Sequence, residues 1–225
     1  MRELLIGIDS GTQSTKALVV DANTGKVLGS GSGKHDLIPG LAPGAKEQHP
    51  GNWRKATSSA IKAALKQAKA KAGEVKAIGV SGQQHGFVPL DKAGNVIRPA
   101  KLWCDTATSA ECEEITAKLG GLKKTIGALG NAVLPGFTAS KILWLKKHEP
   151  KNFAKLATVL LPHDYLNFWL TGALPGDGTL TIGLAAVIED HTGEQSFWAL
   201  AHRAEKPDFH SAAGFVLQLE RDSTW

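Results

Sequence analysis

The chain has 225 residues, of which 42% are hydrophobic and 21% charged, and its formal net charge is +5 at pH 7. This composition is typical of a globular protein with a sizeable core, and at roughly 150 residues per domain the length predicts about one and a half domains. No apolar run reaches the ~20 residues that a transmembrane helix needs. The apolar residues 4–6 are too few for a signal peptide, so we expect a cytoplasmic protein.

The basic residues are concentrated between positions 55 and 76, in a stretch rich in lysine and alanine. This pattern is typical of a helix with a solvated face. No aromatic residues interleave with the lysines, so we expect neither nucleic acid nor a membrane as a partner. The two cysteines, Cys104 and Cys112, cannot form a disulfide framework or a zinc site, and we expect ordinary reduced thiols.

The first third of the chain predicts a β-meander followed by a helix and a further strand. Short apolar runs at residues 4–9, 16–21 and 27–30 are separated by glycine-containing turns. Apolar residues then recur at helical spacing from 52 to 71, and glycine at position 73 ends that helix. Because a helix precedes it, we expect the next strand, residues 75–80, to be buried and parallel.

The remaining elements alternate between short strands and helices. Residues 87–90 and 95–97 flank a turn and predict a hairpin, and the spacing of Thr108 and Glu111 predicts a capped helix that extends to about residue 119. Further helices near 140–147 and 164–170 bracket a strand at 158–161. This order predicts an α/β domain with a mixed sheet. The chain contains no GxGxxG or GxxxxGK[ST] stretch, which argues against a dinucleotide site of the Rossmann type and against a P-loop.

The first candidate site is the turn after the first strand. Asp9 ends that strand, and its carboxylate suits Mg²⁺ or the waters of Mg²⁺. Gly11 allows backbone N–H groups to approach a phosphate. The turn also carries further donors and a cation, which are Thr12, Gln13, Ser14 and Lys16. A hairpin whose turn simply requires a glycine explains the same spacing equally well.

The second candidate site combines residues 81–86 with residues 102–105. Gln84 and His85 follow a buried strand in a loop, which is a common place for ligand contacts. Trp103 could pack against the face of a sugar, and Asp105 could accept hydrogen bonds from sugar hydroxyl groups. Each residue taken singly also has an ordinary structural explanation, such as a loop histidine, a core tryptophan or an aspartate at the start of a helix.

Two stretches resemble a known superfamily and a family within it. Residues 7–21 resemble the first phosphate loop of the actin, Hsp70 and sugar-kinase superfamily. Residues 136–148, GFTASKILWLKKH, resemble the signature of the FGGY carbohydrate kinases. The segments at 47–50, 84–86, 103–105, 130–138 and 160–166 are similar to those of the xylulokinases within that family.

The resemblance covers roughly residues 4–172 and implies an α/β fold of the ribonuclease H-like type, shared by actin, Hsp70 and hexokinase, with a mixed β-sheet flanked by helices. It implies a two-domain kinase that transfers the γ-phosphoryl group of ATP to the 5-hydroxyl of D-xylulose with Mg²⁺ as cofactor. By the same resemblance, Asp9 would contact Mg²⁺ through water. The phosphate contacts would be Gly11, Thr12, Gln13, Ser14 and Lys16, and the sugar contacts Gln84, His85, Trp103 and Asp105.

The chain departs from the family pattern in two respects. The family's catalytic base is an aspartate in a Gly-Gly-Gly-Asp-Asn stretch, and this sequence has no such stretch. We expect residues 173–225 to be a divergent or truncated end of the same domain, the second domain to be absent, and the chain alone to lack turnover. The alternatives are another FGGY kinase, acting on ribulose, gluconate or glycerol, and a non-catalytic actin-like module that binds nucleotide or sugar. The sequence also leaves open whether the protein forms a homodimer.

Overall fold

The computed structural model describes residues 2–172 in full and, beyond them, four strands by their backbone alone. Those strands are Leu180–Gly183, Ala186–Glu189, Gln195–Trp198 and Val216–Leu219. The expectation that residues 173–225 form a divergent end of the domain therefore lies, apart from these strands, outside the described residues.

Strands and helices alternate through residues 2–172 much as the sequence predicts. The strands are β1 (Leu4–Ser10), β2 (Ser14–Asp21), β3 (Val27–Lys34), β4 (Glu47–Gln48), β5 (Val75–Gly82), β6 (Val88–Leu90), β7 (Ala100–Lys101) and β8 (Thr158–Leu160). The helices are α1 (Pro50–Gln67), α2 (Ser109–Lys118), α3 (Leu122–Leu129), α4 (Thr138–His148), α5 (Pro150–Phe153) and α6 (Pro162–Thr171). None of these helices is long and apolar enough to cross a membrane.

The central sheet has the strand order β3-β2-β1-β5. The first three strands are antiparallel, and β5 runs parallel to β1, so the predicted meander, the parallel strand and the mixed sheet are confirmed. The predicted burial of β5 is wrong: none of its residues is buried, because the strand lies at the edge of this sheet. Alternate residues of β1 are buried beneath α1, among them Ile6 and Ile8. On the opposite face, Leu5 and Leu18 are 39% and 42% exposed.

Helix α1 lies directly on strand β3 because both elements present very small residues to each other. Gly29, Gly31 and Gly33 alternate along β3 on the side of the helix. A Cβ atom at Gly31 would lie 2.2 Å from the carbonyl oxygen of Ala60, and one at Gly33 would lie 2.6 Å from that of Ala56. Any side chain on these three positions would therefore push the helix away from the sheet.

A second core joins α1 to the remaining strands. β6 pairs antiparallel with β8, and Leu180–Gly183 pairs in parallel with β8. Trp53 of α1 is fully buried in this core together with Leu102 and Leu166. The same helix thus contributes its alanines to one core and its tryptophan to the other.

Two boundaries differ from the sequence prediction. Helix α1 ends at Gln67 rather than near residue 71, and a short 3₁₀ turn over Ala72–Glu74 leads into β5. Residues 95–97 form no strand, and the predicted hairpin is reduced to a single bridge between Leu90 and Val96. In both places the chain turns sooner than the apolar pattern alone indicates.

The predicted capping box at α2 is wrong. Thr108 precedes the helix, but its side chain makes no capping hydrogen bond. Its Oγ1 atom lies 2.9 Å from Ser140 Oγ and donates to the carbonyl oxygen of Pro135 at 3.2 Å. A tertiary contact with α4 has replaced the local cap, which the sequence around Thr108 could not show.

The close contact between α1 and β3 predicts a steric effect on stability. Gly31→Ala places a methyl group against the helix backbone, and we expect a loss of about 1–3 kcal/mol in the free energy of unfolding, measured by urea denaturation. The matched control is Gly7→Ala, because an added Cβ there has nothing within 4 Å. We expect that control to change stability by less than about 0.5 kcal/mol. Equal losses in the two variants would contradict the steric explanation.

Candidate functional site

A pocket of about 370 Å³ opens where β1 and β5 end, and it brings the two candidate sites together. Its lining consists of Asp9, Gly11, Thr12, Gly82, Gln83, Gln84, His85 and Trp103. Strands β1 and β5 are parallel, and their register pairs Asp9 with Ser81. Because the carboxyl ends of parallel strands meet at one edge of a sheet, the turn after β1 and the loop after β5 face the same space.

The turn after β1 presents only part of its predicted contacts to the pocket. Asp9 is exposed, and Gly11 and Thr12 lie in the pocket lining. The N–H group of Gly11 donates to the carbonyl oxygen of Ser14 at 3.0 Å, so this amide closes the turn itself. Gln13 and Lys16 are exposed, and neither they nor Ser14 line the pocket.

The position of Asp9 suits a hydrated Mg²⁺ ion. Its carboxylate stands at the pocket, and Mg²⁺ usually keeps several waters and binds proteins through one or two carboxylates. Among the described residues, no group of three or more histidine, cysteine, aspartate or glutamate side chains is arranged to hold a metal. The donor set therefore fits the expected contact through water better than a complete protein cage.

The loop that carries Gln84 and His85 is fixed by helix α4. His85 adopts a left-handed backbone conformation with φ of 56°, which is uncommon for a residue other than glycine. Its carbonyl oxygen accepts hydrogen bonds from Thr138 Oγ1 and Lys141 Nζ, each at 3.2 Å. The Lys141 amine also donates to the carbonyl oxygens of Gly136 and Phe137, and burial lowers its pKa to about 8. The signature-like segment therefore shapes the pocket by binding backbone.

Trp103 forms a bridge between the two candidate sites. Its side chain is half exposed in the pocket, and its Nε1 atom donates to Thr12 Oγ1 at 3.0 Å. A Cβ atom at Gly136 would lie 2.9 Å from the carbonyl oxygen of Trp103, so the backbone of the signature-like segment packs tightly against the backbone of Trp103. Trp103, which is predicted to pack against the sugar, thus contacts the turn after β1, which is predicted to bind phosphate.

Asp105 occupies a different position from the other predicted sugar contacts. It is fully buried and is not part of the pocket lining. Its Oδ2 atom accepts from the backbone N–H of Lys46 at 2.8 Å and from Lys101 Nζ at 3.2 Å, and its Oδ1 accepts from the N–H of Ala107 at 3.1 Å. These contacts fasten the segment that carries Trp103 to the chain before β4.

A buried network of charges continues from Asp105 towards α4. Lys101 is 3.1 Å from Glu47, and Arg98 binds the same carboxylate at 2.7 Å. Lys101 Nζ also lies 4.0 Å above the ring of Trp144, a residue of the signature-like segment. Buried charges persist only where partners of this kind compensate for the loss of water. The network therefore connects the segment that carries Trp103 to α4 through compensated charges.

Two buried glutamines at this site were not among the predicted site residues. Gln83 lines the pocket, and Gln48 lies behind it, where its Nε2 atom donates to the carbonyl oxygen of Thr12 at 2.7 Å. Both occur in stretches that the sequence singles out, at 81–86 and 47–50. Glutamine carries no charge, and these two residues show no recognisable spacing, so the sequence alone does not indicate a role for them.

Comparisons with known proteins assign the chain to a family. The N-terminal domain of the FGGY family of carbohydrate kinases matches residues 4–185. A xylulose kinase from Haemophilus influenzae is 47% identical over 173 residues, which are 75% of this chain and 35% of the relative. The xylulose kinase structure from Bifidobacterium adolescentis has a TM-score of 0.66 at 34% identity, covering 79% of this chain and 36% of that one. A gluconate kinase from Lactobacillus acidophilus has a TM-score of 0.68 at 25% identity, covering 77% and 34%.

The chain belongs to the FGGY family of carbohydrate kinases, and residues 4–185 correspond to the N-terminal domain of that family. The solved neighbours also confirm the expected fold, a mixed sheet flanked by helices. The chain spans about a third of the length of the relatives that it matches.

The contrast between Asp105 and Asp9 predicts different effects on stability. Asp105→Ala leaves Lys101 buried with one partner fewer and removes three hydrogen bonds, so we expect a loss of about 3 kcal/mol in the free energy of unfolding. The exposed Asp9 serves as the control, and we expect Asp9→Ala to change this free energy by less than about 0.5 kcal/mol. Urea denaturation measures both. A stable Asp105→Ala variant would show that the carboxylate is free for a ligand.

The buried His35 and the half-buried His85 predict a loss of stability at acidic pH. Burial lowers the pKa of His35, against a smaller opposing effect of Asp36, and burial together with Lys141 lowers the pKa of His85. Both rings are therefore neutral in the folded protein at pH 7, whereas unfolded histidines take up a proton below about pH 6.5. The contribution of these two histidines to the free energy of unfolding should be complete above about pH 6.5. It should be lost as the pH falls from there through the lowered pKa values of the folded protein.

Urea denaturation at pH 7.5 and pH 5.5 measures this loss. A variant with both His35→Gln and His85→Gln should lose less stability between the two pH values than the unsubstituted chain. The exposed His49 provides the control, because His49→Gln should retain the full pH dependence. An identical pH dependence in all three proteins would assign the effect to other groups.

Proposed function

We propose that this chain is the sugar- and phosphate-binding domain of a kinase that phosphorylates D-xylulose with Mg-ATP. The observation that carries the proposal is the shared pocket in which Asp9 and the turn after β1 face the loop of Gln84 and His85. Phosphoryl transfer depends on positioning and on charge neutralisation, and the pocket offers groups for both next to each other. An ATP-dependent kinase of this kind would operate in the cytoplasm.

The residues of the pocket divide into two sets under this proposal. Asp9 holds water molecules of Mg²⁺, which when bound neutralises phosphate charge, and the turn from Gly11 to Lys16 lies beside the phosphates. Gln84 and His85 hydrogen-bond the sugar while Trp103 packs against it. Asp105 holds the wall that carries Trp103, because three donors already engage its carboxylate.

The choice of D-xylulose rests on the relatives and on the loop. The relatives reported above at 47% and 34% identity are named xylulose kinases. The gluconate kinase has the same fold at a lower identity of 25%, so the fold alone does not select the sugar. Gln84 and His85 are neutral groups at pH 7, which suits an uncharged ketose better than the carboxylate of gluconate.

We further propose that residues 1–172 form this domain, that residues 173–225 are its divergent end, and that the chain alone has no turnover. Transfer to a hydroxyl group needs a base that accepts its proton. The sequence has no Gly-Gly-Gly-Asp-Asn stretch, and the chain spans about a third of its relatives. Under this proposal the chain binds the sugar without catalysing transfer.

Calorimetric titration of the 225-residue chain tests the proposal. We expect D-xylulose to bind more tightly than D-gluconate, because the neutral groups of the pocket suit an uncharged sugar. We expect it to bind more tightly than D-ribulose or glycerol as well, because the relatives reported above are named xylulose kinases. His85→Ala should weaken binding of D-xylulose about tenfold, since it removes a hydrogen bond and part of the pocket wall. Binding of gluconate or glycerol alone would show that the proposed substrate is wrong.

Release of ADP from Mg-ATP in the presence of D-xylulose provides the second measurement on the same protein. We expect no release above the rate without sugar. Turnover that depends on xylulose would show that the chain contains a base and is a complete enzyme. Absence of binding for every sugar would instead remove the proposed function from this chain.

A further inference from the structure

A chain of buried amide groups runs from helix α1 to the pocket. Gln48 is fully buried, and its Oε1 atom accepts a hydrogen bond from Trp53 Nε1 at 2.8 Å. Its Nε2 atom donates to the carbonyl oxygen of Thr12 at 2.7 Å. Gln83, which lines the pocket, approaches the same Gln48 Oε1 with its own Nε2 atom at 3.4 Å.

The orientation of both amides follows from groups that have only one hydrogen-bonding role. The indole N–H of Trp53 can only donate, and the carbonyl group of Thr12 can only accept. Gln48 must therefore direct its oxygen to Trp53 and its nitrogen to Thr12. Since Gln48 Oε1 also faces Gln83, the amide nitrogen of Gln83 must point towards Gln48. The oxygen of Gln83 is thereby directed away from this chain of amides.

That oxygen has no hydrogen-bond partner among the described residues. Gln83 is only 7% exposed, and its Oε1 atom is buried. The neighbouring Gln84 Oε1 atom, also in the pocket lining, is buried and unpartnered as well. A buried acceptor without a donor is costly, and such groups in native proteins are rare. Two adjacent ones at a pocket are positions where a ligand or an ordered water would supply the missing donors.

We propose that Gln83 is a further ligand-binding residue, whose Oε1 atom accepts a hydrogen bond from a hydroxyl group of the bound polyol. The inference rests on the proposed function and adds a contact to it. A phosphate oxygen is an acceptor and would be repelled by the amide oxygen, whereas a sugar hydroxyl group can donate. Gln83 therefore favours the sugar over a phosphate group at its position in the pocket.

Leucine at position 83 provides the direct test. Gln83→Leu removes the acceptor at similar size, and Gln48 Oε1 keeps its hydrogen bond from Trp53, so no new unpartnered group arises at Gln48. In calorimetric titrations of the 225-residue chain, we expect D-xylulose to bind about tenfold more weakly to this variant. Unchanged affinity in a folded variant would overturn the inference.

Deoxy sugars distinguish a direct contact from an indirect one. The unsubstituted chain and Gln83→Leu are each titrated with xyluloses that lack a single hydroxyl group. For the sugar without the hydroxyl group that Gln83 binds, the two proteins should have equal affinity, because the contact is already lost. The same tenfold difference with every deoxy sugar would mean that Gln83 acts only by shaping the pocket, and the proposed contact would be wrong.

Methionine at position 83 covers the case in which the leucine variant does not fold. Gln83→Met has a side chain of similar length without the amide oxygen, and its thioether sulfur is only a weak acceptor. We expect D-xylulose to bind about tenfold more weakly to this variant as well. Unchanged affinity in the folded methionine variant would contradict the proposed contact.

A last experiment adds Mg²⁺ without sugar and monitors the NMR signals of the Gln83 side-chain amide. No change is expected with Mg²⁺, and a change is expected with D-xylulose. A response to Mg²⁺ alone would make a metal-bound water the donor and overturn the assignment to a hydroxyl group. If the unsubstituted chain binds no sugar but folds normally, the proposed function fails, whereas failure of the Gln83 contact leaves sugar binding intact.

Discussion

The close approach of α1 to β3 is the constraint on which the pocket depends. Glycines at every second position of β3 let the helix backbone lie on the strand, at distances that no side chain would permit. This contact fixes the helix whose first turns carry Trp53, and Gln48 lies only two residues before the helix begins. Through Gln48, the packing of a helix on an edge strand determines the shape of the turn that follows Asp9.

The signature-like segment acts on the pocket through backbone groups. Lys141 carries a charge into the interior, where three carbonyl oxygens replace water around its amine, and its lowered pKa reflects the cost of that burial. One of these carbonyl groups belongs to His85, whose left-handed conformation needs such support. Lys141, which was not among the predicted site residues, thus determines where His85, a proposed sugar contact, stands.

The sequence predicts the features that depend on local pattern. Period-two alternation indicates β1 and β2, helical spacing indicates α1, and a helix between two strands indicates that β5 is parallel. It does not predict features in which a polar side chain chooses between a local and a distant partner. Thr108 bonds to Ser140 instead of capping its helix, and Asp105 faces Lys101 instead of the pocket, because both choices depend on segments that meet only in the folded chain.

The hydrogen bond between Trp103 and Thr12 joins positions 91 residues apart, and this separation has a consequence for synthesis on the ribosome. The β-meander leaves the ribosome first, but its turn has no opposite wall until Trp103 has emerged, and the loop at His85 has no support until Lys141 follows. Synthesis proceeds at about 5–20 residues per second, and domains generally fold as units. For several seconds the nascent meander therefore exists without the opposite wall of the pocket, so a ligand that needs both walls can stabilise only the nearly complete domain.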